Sequence, residues 1–139
     1  MSLPSTADRV PRHTARSINE RIRRRTEQNI TRYRNAAPEA IERRLEELSR
    51  EWDIERAIEA NAASLALLGI LLGAFVDVWF LLLPAAVGTF LLQHALQGWC
   101  PPVPILRRLG FRTSREIFEE RLALLAATRA RQRGLRTSL

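Results

Sequence analysis

Between Ala62 and Trp99 the chain runs for 38 residues with one charged side chain, Asp77. As one continuous helix this run would extend about 57 Å, at 1.5 Å per residue. The hydrocarbon core of a bilayer is about 30 Å thick and takes roughly 20 helical residues. One span leaves too much apolar chain over, whereas two short spans fit. The break falls at Val76-Asp77-Val78, where the charge sits, which predicts spans over about 58–75 and 79–97. The competing reading is a pair of core helices in a soluble protein. Neither stretch has a polar face, and helices apolar all round need lipid or a large protein around them. The rest of the chain is too charged to wrap both. The predicted fold class is therefore all-α, a transmembrane helical hairpin of two short spans with amphipathic cytoplasmic helices on both sides.

Charge is arranged in blocks around this run. The chain has 22 basic residues, all arginine, and a net charge of +7. Residues 1–37 carry nine Arg against three acids, residues 38–60 four against eight, and residues 101–139 nine against three. Arg43, Arg44, Arg50 and Arg56 precede the first span, Arg107, Arg108, Arg112 and Arg115 follow the second, and the intervening turn has none. Cytoplasmic loops collect arginine, so both termini are expected in the cytoplasm. Arg43, Arg44, Arg50, Arg56, Arg107, Arg108 and Arg112 are the candidate topology and lipid-headgroup residues. Trp79 and Trp99 fall at opposite ends of the second span, where interfacial aromatic residues collect. No secretory leader is visible in the first fifty or so residues.

Small residues recur along the first span at Ala62, Ala66, Gly69 and Gly73, on one helix face, and Gly69 and Gly73 form a G-x-x-x-G pair. Such pairs let helix backbones approach closely in lipid. On the second span Pro84 and Gly88, and Ala85 and Thr89, are pairs four apart. Ala62, Ala66, Gly69, Gly73 and Gly88 are the candidate helix-packing residues. Packing of the hairpin against itself is preferred over homodimerisation. Pro84 predicts a kink or a frayed first turn. Asp77 is expected at a turn rather than at mid-membrane. His94, Gln93 and Gln97 sit near the cytoplasmic end of the second span, where hydrogen bonding across the hairpin is preferred to a proton or ligand role.

The flanks read as helices. Residues 1–14 are expected to be disordered, 15–53 to form a cytoplasmic helical arm, 54–112 the two-helix transmembrane domain, and 113–139 a C-terminal helix and tail. Ile18, Ile22, Ile30 and Tyr33 give a narrow stripe beside the cluster Arg21, Arg23, Arg24 and Arg25. That arm suits anionic lipid or solvent equally. Pro38 fits the first turn of a helix with a stripe at Ile41, Leu45, Leu48 and Trp52, too short for an independent coiled coil. Asp53 is a candidate cap for the helix entering the membrane. Pro101, Pro102 and Pro104 are expected to end the second span. Thr113-Ser114-Arg115-Glu116 is a capping-box pattern opening a last helix, whose tail from Arg129 is expected to fray.

The chemistry of most enzyme classes is missing from the pattern. There is no Gly-rich phosphate loop, no metal-spaced Cys/His cluster and no H-E-x-x-H. No catalytic, metal or cofactor-binding residue is assigned, no cofactor is expected, and the chain is not expected to be an enzyme. Glu119 and Glu120 are adjacent and do not share a helix face, so they form no acid/base pair. A single cysteine, Cys100, excludes an internal disulfide. It is the one candidate reactive thiol, with Arg107 and Arg108 nearby in sequence to favour a thiolate, though no base is identifiable.

Gly98-Trp99-Cys100-Pro101, followed by Arg107, Arg108, Leu109 and Gly110, forms a membrane-exit motif. Over about residues 55–112 the chain resembles the YgaP-like inner-membrane transmembrane domain family, in which two short spans end in a G-x-C-P segment and a short basic stretch. The first span with Gly69 and Gly73, and LPAAVGTFLLQHALQGWCPP, are similar to that family too. The resemblance implies a bacterial inner-membrane location. In some relatives the hairpin is fused to a rhodanese, a sulfurtransferase domain. Here the N-terminal arm is too short and too helical for one, and no catalytic-cysteine loop is present, so sulfurtransferase activity is not carried over.

The expected partners are the lipid bilayer and its anionic phospholipids, with a homodimer or another membrane protein as candidates. The expected role is a membrane anchor or assembly module. Two alternatives differ in class: a membrane-bound sulfur or redox accessory using Cys100, and a soluble basic helical protein that binds nucleic acid. Nucleic acid is not the expected partner, because the arginines sit where topology signals belong.

Overall fold

A computed structural model describes residues 9–137, and all secondary structure among the described residues is helical. The order is α1 (Arg9–Arg12), α2 (Arg16–Arg34), α3 (Pro38–Arg50), α4 (Ile54–Phe75), a 3-10 turn (Val78–Leu81), α5 (Leu82–Gln97), α6 (Pro102–Arg108) and α7 (Ser114–Thr137). Two layers of organisation follow. Helices α4 and α5 pair as a hairpin, while α2 and α3 pack on α7 to form a helical base.

Helix α4 starts where Asp53 accepts a hydrogen bond from the Arg56 N–H at 2.7 Å, as the sequence predicts. It begins at Ile54, ahead of the expected span, because this cap fixes the first turn before the apolar run starts. At the far end the N–H groups of Val76 and Asp77 both donate to the Leu72 carbonyl, at 2.8 and 3.1 Å. Asp77 then accepts from the Trp79 N–H at 2.9 Å and opens the 3-10 turn. The second span therefore begins as a 3-10 turn and becomes α-helical only at Leu82. Pro84 lies in the first turn of α5, where its missing N–H costs nothing.

The hairpin exposes what a soluble protein hides. No residue of α5 is buried. Leu67, Leu68, Ile70, Leu71, Trp79, Leu82 and Leu92 are all exposed. Both helices are long and apolar enough to cross a membrane. An exposed apolar surface of this extent belongs in lipid.

The base obeys the opposite rule. Ile41 and Leu48 of α3 pack with Ile117 and Leu124 of α7, and Tyr33, Ala36 and Leu45 lean on them. Ile18, Ile22 and Thr26 of α2 are buried, with α2 lying along α7. The narrow stripe of the arginine-rich arm is therefore core, and its arginines form the outer face. Trp52 does not continue the α3 stripe. Helix α3 ends at Arg50, and Trp52 turns outward to lie under the Arg56 guanidinium, 4.8 Å from the ring centre.

Two further expectations change. Residues 9–14, placed in a disordered segment, are folded: α1 buries Val10 among Ile54, Ile58, Cys100 and Val103. Residues 1–8 of that segment lie outside the described residues. The tail from Arg129, expected to fray, continues α7 to Thr137 as an exposed helix.

Candidate functional site at the membrane exit

The ends of the two spans away from the Asp77 turn are tied to the base at one place. The α3–α4 junction contributes Glu51, Asp53 and Ile54, and the α6–α7 junction contributes Arg112, Thr113 and Ser114. The Ile54 N–H donates to the Arg112 carbonyl at 2.8 Å. The Ser114 hydroxyl donates to Asp53 at 2.8 Å, so Asp53 caps α4 and receives α7 at once.

Arg112 is the centre of this junction, 2% exposed. Its guanidinium donates two bonds to Glu51, 2.8 Å from Nε and 2.5 Å from Nη2. Its Nη1 reaches Glu120 and, at 3.1 Å, the Thr26 hydroxyl. Glu120 is fully buried and also accepts from Arg44 Nε at 2.9 Å. Burial works to raise the Glu120 carboxyl, but Arg44 and Arg112 outweigh it and hold the group below the usual carboxylate range.

A second buried pair lies beside it. Arg107, 1% exposed, donates to both Glu116 oxygens and to the Asn19 side chain at 2.7 Å, joining α6, α7 and α2. Glu116 also accepts from the Thr113 N–H at 2.7 Å, and its own N–H faces the Thr113 hydroxyl at 3.3 Å. This is the predicted capping box, with the box glutamate doubling as the counter-ion of a buried arginine. Burial pushes Glu116 up, and Arg107 with Thr113 more than reverses this, leaving it lowered.

These contacts redistribute the predicted topology arginines. Arg43, Arg50, Arg56 and Arg108 are exposed, with Arg50 paired to Glu46 and Arg56 stacked on Trp52. Arg107 and Arg112 are not, because their guanidiniums are enclosed in carboxylate pairs. Arg44 is half-way, bonded to Glu120 and to Glu47. Glu120 and Glu51 were missed by sequence reasoning. For Glu120 the available signal was register: Ile117, Glu120 and Leu124 lie on one face of α7, so Glu120 occupies a core position.

The membrane-exit motif is a set of backbone and packing devices. Gly98 caps α5 in the left-handed region, φ +79°, and its N–H donates to the His94 carbonyl at 2.7 Å. A Cβ there would also meet the Arg9 backbone at 2.7 Å. Gly98, not the prolines, stops the span. Pro101 and Pro102 instead open α6, where proline suits the first turn. Trp99 is half-buried. Cys100 is buried against Ile54, Ile58 and Val103, and burial pushes its thiol up. With Arg107 engaged by Glu116, no hydrogen bond among the described residues favours a thiolate at Cys100.

The small-residue positions divide. Ala62 and Gly69 are buried in the α4–α5 seam and Ala66 is half-buried beside them. A Cβ on Gly69 would lie 2.5 Å from Pro84 Cδ, and one on Gly73 would lie 2.6 Å from Leu81 Cδ2. Gly88 does not belong to this seam. It faces away from α4, and a Cβ there meets nothing within 4 Å.

Toward the base the helices part. A cavity of about 210 Å³ opens between Ile58, Ala62 and Leu65 of α4 and Val87, Phe90 and Leu91 of α5, closed by Cys100, Pro101 and Pro102. One turn further toward the base, a second cavity of about 350 Å³ is lined by Arg9, Glu55, His94, Gly98 and the start of α7. No group of three His, Cys, Asp or Glu side chains suited to a metal ion occurs among the described residues.

Residues 53–116 match the family model described as the transmembrane domain of YgaP-like inner membrane proteins. The matched segment begins at the Asp53 cap and ends at the Glu116 capping box. Neither the curated proteins nor the solved structures gave a match.

Proposed function

We propose that this chain, a membrane protein carrying a YgaP-like transmembrane domain over residues 53–116, is a small inner-membrane anchor or assembly module without chemistry of its own. Both termini lie in the cytoplasm, and the helical base is held there against the inner leaflet. One observation carries this reading. The hairpin leaves its apolar side chains exposed, while the base seals its own core and ties itself to the hairpin through Glu51, Arg112 and Glu120. Such a rigid connection transmits position, which is what an anchor does. The arginines on either side of the spans, and none at the turn, support the sidedness. The open Gly88 face, with exposed Ala85 and Thr89, supports assembly with a second membrane helix.

The test is retention. A soluble fluorescent protein fused to the C-terminus of the full chain should pellet with membranes and survive an alkaline carbonate wash. Its release by carbonate would overturn the anchor reading.

A further inference from the structure

The two cavities draw their linings from successive turns of α4 and α5. On α4, Glu55 lies one turn below Ile58, and on α5, His94 lies one turn below Leu91, so apolar and polar chambers succeed each other on the same helix faces. The hairpin is tight where Gly69 meets Pro84 and open below it. The apolar chamber lies within the membrane-spanning stretch, beside its base-side end. Asn61 is the one polar side chain in its lining. Water gains little there, because it needs two or more polar partners. The polar chamber sits at the membrane exit. Arg9 is fixed there by a hydrogen bond to the Ala95 carbonyl. His94 has a buried Nδ1 with no hydrogen-bond partner among the described residues. Arg115 adds a second guanidinium. Glu55, which faces Ser114, and Glu119, which pairs with Arg115, offset part of that charge.

We propose that this seam holds one glycerophospholipid of the cytoplasmic leaflet, an acyl chain in the Ala62 chamber and its phosphodiester at Arg9 and His94. The assignment rests on the membrane reading of the hairpin. An acyl chain is the apolar occupant that surrounds this chamber in a bilayer, and it enters laterally from the surface the hairpin already presents to lipid. A singly charged phosphodiester suits a polar chamber whose two guanidiniums are partly offset. Cys100 closes the apolar chamber, so an occupant shields its thiol.

That shielding is the assay. Alkylation of Cys100 by N-ethylmaleimide at alkaline pH is followed for the full chain in mild detergent, with increasing phosphatidylglycerol. Lipid well above its dissociation constant should slow alkylation about tenfold. Ala62→Phe, which fills the chamber, should abolish the dependence on lipid. Arg9→Gln should leave protection attainable but require about threefold more lipid, a loss within the range of one exposed ionic contact. An alkylation rate indifferent to lipid overturns the proposal, as does protection that follows protein concentration, which marks a second copy in the seam. The unsubstituted chain alone decides this, so misfolding of Ala62→Phe leaves the test intact. A protein that survives the carbonate wash yet shows no lipid protection sinks the lipid seat and spares the anchor.

Discussion

Arg107 and Glu116 meet through two near-parallel hydrogen bonds, 2.7 and 2.9 Å, across the turn that joins α6 to α7. The arginine side chain is fully enclosed. Removing one partner of a buried pair costs more than the pair contributes, because the survivor keeps its desolvation penalty. Glu116→Ala should therefore destabilise the base by about 3–5 kcal/mol, with loss of the α7 cap included in the effect. Hydrogen exchange of the α7 amides would register it, while exchange in α5 should stay unchanged.

The hairpin seam and the open face predict a contrast between two glycines. Gly69→Ala drives a Cβ to 2.5 Å from Pro84 and should cost about 1–3 kcal/mol through overpacking. Gly88→Ala meets nothing and should change stability by less than about 0.5 kcal/mol. Thermal unfolding in micelles would separate them.

The carboxylates of the base set an acid limit. Glu116 and Glu120 lie below their ordinary value of 4.5 in the fold, held down against burial by Arg107, Arg44 and Arg112. The folded chain thus binds these protons less readily than the unfolded chain. The resulting stability is complete above the ordinary carboxylate range and is lost as pH falls through the depressed folded-state values. Acid titration of a Trp79→Phe, Trp99→Phe chain, followed by Trp52 fluorescence, should show the base loosening below about pH 4, whereas the hairpin, with no such pair, keeps its helix signal.

Cys100 is a packing residue of the cluster around Ile54 and Ile58. Its thiol is pushed up by burial, and Arg107, the arginine nearest in sequence, is bonded to Glu116 instead. At pH 7 it should react with a maleimide at least about tenfold slower than an unhindered cysteine. Cys100→Ala should keep membrane retention of the fluorescent fusion. A persulfide found at Cys100 by mass spectrometry would favour a sulfur carrier instead.

Much of this architecture was legible in the residues. The length of the apolar run and its single charge at Asp77 give a two-span hairpin, because lipid thickness leaves few alternatives. Caps at Asp53 and Thr113 were readable because capping is local chemistry. The ion-pair junction was not, since Glu51 and Arg112 are 61 residues apart and their meeting depends on how the base closes over the hairpin. The same reason hid the burial of Arg107, whose place in sequence is that of a topology signal. Gly88 matched the spacing of the other small residues, yet pairing direction decides which glycines face the partner helix, and spacing alone does not carry that.

A two-span hairpin with its turn across the membrane from both termini is open to a direct test by single-cysteine labelling. In a Cys100→Ser background, Asp77→Cys and Arg108→Cys are treated in intact spheroplasts with a membrane-impermeant maleimide. Labelling of the position 77 cysteine, with the position 108 cysteine reacting only after lysis, is the predicted result. Labelling of both before lysis, or of position 108 alone, would contradict that arrangement.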